Sequence, residues 1–272
     1  MKYRVIHING LNAYDELVES VIWGLRELGH TVEFSLDTFS ESATNIIFGA
    51  QMLEVDMVSK LPPSTIVYNF EQIRGATLLK PSLVYAAANF KIWDYSEGNA
   101  DVWKTLNADC RIVPVGYAEP LTRIPKAPIQ DIDVLMYGAP GPDRLDAFHH
   151  LSHSGLKTVF VCGLYGKVRD ELISRSKLIV NIHFYTVKKI FEVVRVSYLM
   201  ANRKAVVADI DPETVIEKDI RAGICVASPS MLVQECHDIV NNDSRRKAIE
   251  EAGFEAIRGR DIRAILETAL AG

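Results

Sequence analysis

Nowhere among the 272 residues does an apolar run approach the roughly 18–20 that a membrane-spanning helix needs. The N-terminus, MKYRVIHINGLNAYDELVES, has neither the long apolar core nor the small-residue cleavage site of a signal peptide, and reads as the first strand of a fold. Only four cysteines occur, Cys110, Cys162, Cys225 and Cys236, without a CxxC pair or a Cys/His spacing that would hold a metal. They are expected to be reduced packing residues, and the expected location is cytoplasmic. Positive charge is not in excess: 30 Lys and Arg stand against 35 Asp and Glu, a net charge of −5. That balance argues against a nucleic-acid binder, whose affinity rests on neutralising phosphates. It leaves room for a local basic pocket that takes a small phosphorylated ligand. GxGxxG and GxxxxGK[ST] are both missing, which argues against a dinucleotide dehydrogenase and a P-loop enzyme.

What is present is an ordinary globular composition, 48% hydrophobic and 24% charged, in a chain long enough for two domains of roughly 120–150 residues. YRVIHI is a short apolar run ending at Asn9-Gly10, the pattern of a buried strand meeting a turn. Leu17, Val21, Ile22 and Leu25 then recur at helical spacing, with Asp15 as the expected N-cap and Gly29 as the C′ stop. TVEFSL restores strand alternation, completing a β-α-β unit, the building block of a parallel sheet. NIIFGA, TIVYNF, FKIWDYS and CRIVPVGY continue the series, with a helix expected over Ala100–Leu106.

The stretch Pro120 to Asp133 is dense in proline, which removes backbone donors and biases its neighbours to extended geometry. We place a domain boundary there, giving domains 1–122 and 123–272, with the last helix left open to pack back on the N-terminal domain. A second series follows, with strands in DVLMYGAP, KTVFVCG, KLIVNIHFY, KAVVAD and ICVAS, and helices in DRLDAFHHLSHSG, KVRDELISRS, VKKIFEVVRVSYLM, ETVIEKDIRAG and a polar tail to Leu270. The predicted fold class is α/β, two Rossmann-like domains with parallel sheets facing a cleft.

Parallel sheets present ligands at the carboxyl ends of their strands. The strand ends here are Asn9-Gly10, Gly49, Asn69 to Gln72, Tyr137-Gly138, Gly163 to Gly166 and Asn181 to Tyr185. NIHFY puts Asn181, His183 and Tyr185 on alternate positions, three polar groups on one face of a strand end. His149 and His153 lie one helical turn apart, but no carboxylate or cysteine stands beside them at metal spacing, so no metal site is expected. Lys188, Glu192 and Arg195 follow i, i+4, i+7, which predicts one charged stripe on a helix otherwise lined by Ile190, Val193, Val194, Val196 and Leu199. A solvated salt-bridge ladder would explain such a stripe. A helix of this apolarity beginning at Lys188 suits a cleft better, with its free N–H groups and Lys188 or Arg195 meeting a diphosphate and Glu192 accepting from ribose hydroxyls.

The order of these features resembles the GT-B glycosyltransferases, particularly family 4 and related group 1 enzymes, over most of the chain. DYSEGNADVWKTLNADCRIVPVGY resembles the strand, helix and turn that close their N-terminal domain. DIDVLMYG resembles the first strand of their donor-binding domain. The segment from Lys204 through Gly253, KAVVADIDPETVIEKDIRAGICVASPSMLVQECHDIVNNDSRRKAIEEAG, matches their C-terminal order most specifically. The resemblance implies a nucleoside-diphosphate sugar on the C-terminal domain and an acceptor on the N-terminal one. It implies no metal and no other cofactor, since helix dipoles and basic side chains stabilise the leaving diphosphate.

Carried over, Gly138 and Arg144 would lie near the diphosphate and Leu164-Tyr165-Gly166 near the base. Lys188, Glu192 and Arg195 would meet ribose, phosphates or sugar, and Asn9-Gly10 would be the N-terminal loop facing the donor. The family usually carries two glutamates eight positions apart. Here Glu192 has Phe184 and Met200 at those positions, and Asn202 to Ala205 replaces the following Gly-x-Pro turn.

The expected activity is metal-independent transfer of a sugar to an unidentified acceptor, whether glycan, lipid-linked, protein or small molecule. No nucleic-acid partner and no transmembrane segment are expected, and peripheral membrane contact is left open. The candidate donor-binding residues are Asn9, Gly10, Tyr137, Gly138, Arg144, Tyr165, Gly166, Asn181, Lys188, Glu192 and Arg195. Glu71 and, on the donor side, His183 are the catalytic candidates, with Asp94 a poorer one for a base. The same scaffold would also suit a nucleotide-sugar epimerase or hydrolase, or a catalytically lapsed module that binds a nucleotide or a protein.

Overall fold

A computed structural model of the protein describes residues 1–8, 12–75, 79–184 and 190–271. The chain forms two compact units, Met1–Ala118 with Arg260–Gly272, and Glu119–Gly259. The division thus falls between Ala118 and Glu119, not at 122/123. The reason is Asn202, which fixes the intervening backbone to the second unit. Its Oδ1 accepts from the backbone N–H groups of Arg123 (2.8 Å) and Ile124 (2.7 Å), and its Nδ2 donates to the carbonyl of Leu121 (2.9 Å).

The first unit begins with β1 (Lys2–His7), a 3-10 turn at Asn12–Tyr14, α1 (Asp15–Glu27), β2 (Thr31–Ser35) and β3 (Thr44–Phe48). A 3-10 turn at Ala50–Met52, α2 (Val55–Val58), β4 (Ile66–Asn69), α3 (Pro81–Asn89), β5 (Lys91–Asp94), α4 (Ala100–Thr105) and β6 (Cys110–Ile112) follow. The six strands form one parallel sheet in the order β2-β1-β3-β4-β5-β6, in a register that sets Ile6 beside Ile47 and Tyr68 beside Trp93. Both faces of a parallel sheet are covered, so its central strands read as continuous apolar runs. Ile6, Ile47, Val67 and Ile92 pack with Leu83 of α3 and Trp103 of α4.

Tyr14 holds the N-cap position of α1, with Asp15 inside the first turn, where a carboxylate favours the helix dipole. Gly29 (φ +78°) ends the helix as expected. Its N–H reaches the carbonyl of Arg26 and that of His30 reaches Leu25, the paired bonds of a Schellman stop.

The second unit contains β7 (Ile132–Tyr137), α5 (Pro142–His153), β8 (Thr158–Val161), α6 (Gly166–Arg175), β9 (Ser176–Asn181), α7 (Val193–Ala201) and β10 (Ala205–Asp209). It continues with α8 (Lys218–Ala222), β11 (Cys225–Ala227), α9 (Leu232–Asn241) and α10 (Asp243–Arg258). Its parallel sheet runs β11-β10-β9-β7-β8. Val134, Met136, Leu178, Val180, Ala205 and Val207 form its core with Leu151 of α5 and Ile239 of α9.

The last helix, α11 (Ile262–Leu270), returns to the first unit. Tyr117 and Arg260–Ile262 exchange backbone hydrogen bonds. Leu266 is fully buried against α1, whose Gly24 leaves the needed room: a Cβ there would lie 2.8 Å from Leu266 Cδ1.

Two expected helices start later than the sequence pattern predicts. α7 begins at Val193, not Lys188. Ile190 bridges Val215 and Phe191 donates to the Val215 carbonyl (3.0 Å), which holds 190–191 extended. The same pairing keeps Val215 out of the expected helix at Glu213–Gly223, and only Lys218–Ala222 is helical. Both sheets place their carboxyl strand ends where a parallel fold binds ligands.

Candidate functional site

In the second unit two arginines converge on one carboxylate. Arg144, in the first turn of α5, is 3% exposed, yet each guanidinium nitrogen has a partner. Nε donates to the Ile182 carbonyl (2.9 Å), Nη1 to the Ala139 carbonyl (2.8 Å), and Nη2 to both oxygens of Glu192 (2.7 and 3.0 Å). Burial pulls its pKa down and the Glu192 carboxylate opposes that shift. Glu192 holds the N-cap position of α7 and takes two further donors, Arg195 Nη1 (2.7 Å) and the Phe184 N–H (3.0 Å).

Arg195 also donates to Asn181 Oδ1 (3.0 Å) and lies over the Tyr137 ring, 5.3 Å from its centroid. Two guanidinium groups thus share a single carboxylate, leaving net positive charge at the ends of β7 and β9. Asn181 is fully buried, and its Nδ2 has no partner among the described residues. A buried, unpaired N–H costs about 1–3 kcal/mol.

Gly138 makes the convergence sterically feasible. Its φ of +127° suits glycine alone, and a Cβ there would stand 2.9 Å from Arg195 Nη2 and 3.1 Å from Arg144 Nη1. A side chain would therefore displace both cations.

The remaining expected residues divide clearly. His183 lies beyond β9, its Nε2 3.4 Å from Thr214 Oγ1 and its ring edge-on to Phe191. Burial lowers its pKa from the usual imidazole value, while Glu192 and Asp209 pull the other way. Tyr165 is the exposed N-cap of α6, and Gly166 opens that helix at φ +56°. No hydrogen bond or ring contact among the described residues joins Tyr165 to the arginine pair. Asn9, Gly10 and Lys188 lie outside the described residues.

In the first unit, Glu71 follows β4 and its Oε1 accepts from Tyr14 Oη (2.6 Å) and Gln51 Nε2 (3.0 Å). Asp94, at the end of β5, is fully buried and accepts from Asn69, Asn99, the Trp103 indole and the Ser96 N–H. That saturation makes it a structural anchor. The four cysteines are free thiols. The His149 and His153 rings lie 6.4 Å apart, tilted by 47°, and among the described residues no group of three or more His, Cys, Asp or Glu is arranged to hold a metal ion. No described helix is long and apolar enough to cross a membrane.

Pattern reading missed Phe184 N–H and the Ala139 and Ile182 carbonyls, because main-chain groups carry no sequence signal. Tyr14 and Gln51 follow strand ends and were within reach of the strand-end rule, but they leave no motif.

The two parallel-sheet α/β units have the GT-B fold. Solved structures with this fold match nearly the whole chain. AviGT4, a glycosyltransferase involved in avilamycin A biosynthesis, is 13% identical with TM-score 0.60, covering 100% of this chain and 96% of that one. Anabaena Alr3699/HepE in complex with UDP and glucose is 10% identical with TM-score 0.66, covering 100% and 98%. T4 phage BGT in complex with its UDP-glucose substrate is 15% identical with TM-score 0.62, covering 99% and 98%. No protein-family model and no curated protein matches the sequence.

Proposed function

We propose that the protein is a glycosyltransferase that moves a sugar from a uridine-diphosphate hexose to an acceptor. The observation that carries this reading is the Arg144–Glu192–Arg195 cluster beneath Gly138, a preorganised cationic site at the carboxyl ends of two adjacent parallel strands. Similarity to structures holding UDP or UDP-glucose supports the choice of nucleotide.

As the anomeric C–O bond breaks, negative charge grows on the departing diphosphate. Fixed cations and buried N–H donors in a partly dry site stabilise that charge without reorganising. Arg195, less buried than Arg144, and the free Asn181 N–H are the groups we assign to the phosphate oxygens. Charge-assisted hydrogen bonds of this kind contribute about 1.5–3 kcal/mol each. Glu192 then serves as a clamp that orients the two arginines, in place of a ribose ligand. His183, beside the clamp, is assigned to a sugar or phosphate oxygen as a hydrogen-bond donor. We further propose that the arginine pair does the work a metal would do, so that transfer persists in EDTA.

Thermal shift with UDP, GDP, dTDP and CMP tests the reading. UDP and UDP-glucose are expected to raise the melting temperature, and Arg195→Ala to remove most of that rise. Failure of every nucleotide to shift the wild type would end it. The commitment of Glu192 to the arginines favours one second reading, a nucleotide-binding module without transfer. Saturable UDP-glucose binding with no sugar release under any condition would select it.

A further inference from the structure

β6 (Cys110–Ile112) ends the first unit's sheet, and among the described residues no strand pairs with its outer edge. Its bonds to β5 run from the Ile92 N–H to the Asp109 carbonyl (2.8 Å) and from the Val113 N–H to the Asp94 carbonyl (2.8 Å). The register sets Ile92 beside Cys110 and Asp94 beside Ile112. Along a parallel strand, alternate residues bond to a given neighbour. Asp109, Arg111 and Val113 therefore face β5, and the N–H and C=O groups of Cys110 and Ile112 point outward. Pro114 has no N–H and closes this row.

Beside the edge runs α11, and between the two lies an open groove of about 760 Å³ lined by Ile112, Pro114, Ala264, Ile265 and Ala269. α11 buries Ile262 and Leu266, which leaves Ala264 exposed and Ile265 half-buried. Arg111 also lines the groove. Its Nη1 donates to the carbonyls of Thr268 (3.1 Å) and Ala269 (2.6 Å), where a cation meets the negative end of the helix. Among the described residues no hydrogen bond or ion pair engages Arg111 Nε or Nη2, so the guanidinium keeps donors free and has no carboxylate partner.

These features discriminate between occupants. An acyl chain laid in the groove would cover the outward groups of Cys110 and Ile112 without bonding to them, at the desolvation cost of each. An extended peptide bonds to them as an added strand and seats alternate side chains against Ile265 and the two alanines, which leave room for larger groups. A carboxylate on it would complement the free donors of Arg111. We propose that the groove between β6 and α11 docks an extended acidic segment of a partner protein, apolar at alternate positions, as a seventh strand of this sheet. Two outward-facing residues make a short ladder, so the contact is reversible. The site lies wholly within the first unit and does not depend on the glycosyl-transfer reading.

The test selects phage-displayed random peptides on the whole protein and titrates the enriched peptide, made with a fluorescent label, by anisotropy. Alternating apolar residues with an aspartate or glutamate are expected. Ile112→Pro removes one outward N–H and no bond to β5, a change that an edge strand tolerates, and is expected to weaken binding about tenfold. Ala264→Trp fills the groove from an exposed position and is expected to abolish binding. Both variants are expected to keep a cooperative melting transition and the wild-type UDP-induced shift. Replacing the peptide's acidic residue by its amide is expected to weaken binding to the wild type about tenfold and to add little to Arg111→Gln, which isolates the ion pair.

No enrichment above background, or equal affinity for the wild type and Ala264→Trp, overturns the proposal. Phosphatidylglycerol vesicles that bind the wild type but not Ala264→Trp, with no peptide binding, would overturn it in favour of an acyl chain. A concentration-dependent dimer in sedimentation velocity that Ala264→Trp dissolves would overturn it in favour of a second copy. If Ile112→Pro lost its melting transition, Ala264→Trp and the Arg111 pairing would still decide.

Discussion

Glu192 accepts two hydrogen bonds from the single Nη2 nitrogen of Arg144, at 2.7 and 3.0 Å, in a site where Arg144 is almost wholly buried. The carboxylate is the only described counter-charge that these contacts bring to the guanidinium. Glu192→Gln should therefore leave a buried cation short of its partner and destabilise the second unit by about 3–5 kcal/mol. An anionic ligand can supply the missing charge. The melting shift produced by saturating UDP is accordingly expected to be larger in the variant than in the wild type, and an equal or smaller shift would remove the clamp assignment.

Gly138→Ala tests the steric side of the same arrangement. The new methyl would meet both guanidinium groups, in a backbone conformation that costs a side chain of order 1–3 kcal/mol. UDP affinity is expected to fall about tenfold or more by titration calorimetry, with a modest loss of melting temperature. Unchanged affinity would mean that the arginines do not need their present positions.

Asp94 gives a pH dependence with a definite sign. Burial raises its pKa to about 6, against the pull of four donors. The folded state therefore holds this proton more tightly than the unfolded chain, whose carboxyl titrates near 3.8. The stabilisation is full below the unfolded value and is lost as pH rises from about 4 to about 6. Asp94→Asn should abolish that slope in melting curves. It should also lower stability at every pH by about 1–3 kcal/mol, because an amide NH2 would face donors from Asn69, Asn99, Trp103 and Ser96.

Lys204 behaves oppositely. Its ammonium is buried just before β10 and, among the described residues, has the Ser174 and Ser176 carbonyls within hydrogen-bond reach, at 3.3 and 3.4 Å. Burial lowers its pKa to about 8, with Glu250 opposing that shift and Lys126 and Arg246 adding to it. The unfolded chain then binds the proton more tightly, so stability rises as pH goes from about 8 to about 10.5. Lys204→Met keeps the length of the side chain and removes the charge. It is expected to raise the melting temperature at pH 7 and to flatten the alkaline rise.

The alternating apolar runs of the sequence determined two parallel α/β halves, because a strand buried on both faces and a helix buried on one leave different and readable periodicities. YRVIHI, TIVYNF and DVLMY became strands close to their expected limits, and Gly29 ended its helix through the backbone freedom that only glycine has. KLIVNIHFY is a strand only to Asn181, which leaves His183 beyond the strand face expected for it. The charged stripe at Lys188, Glu192 and Arg195 was legible as a site but not as a geometry. Helical spacing assumes that the helix starts where the pattern starts, and the extended pairing of Ile190–Phe191 with Val215 is a contact between segments distant in the chain. What only the tertiary structure decided is which charges meet: that Glu192 is consumed by Arg144 and Arg195, that Asp94 is sealed among donors, and that Glu71 is held by Tyr14 and Gln51. Spacing along a chain predicts neighbours within one helix or strand. Hydrogen-bond saturation is settled by residues that folding brings in from elsewhere.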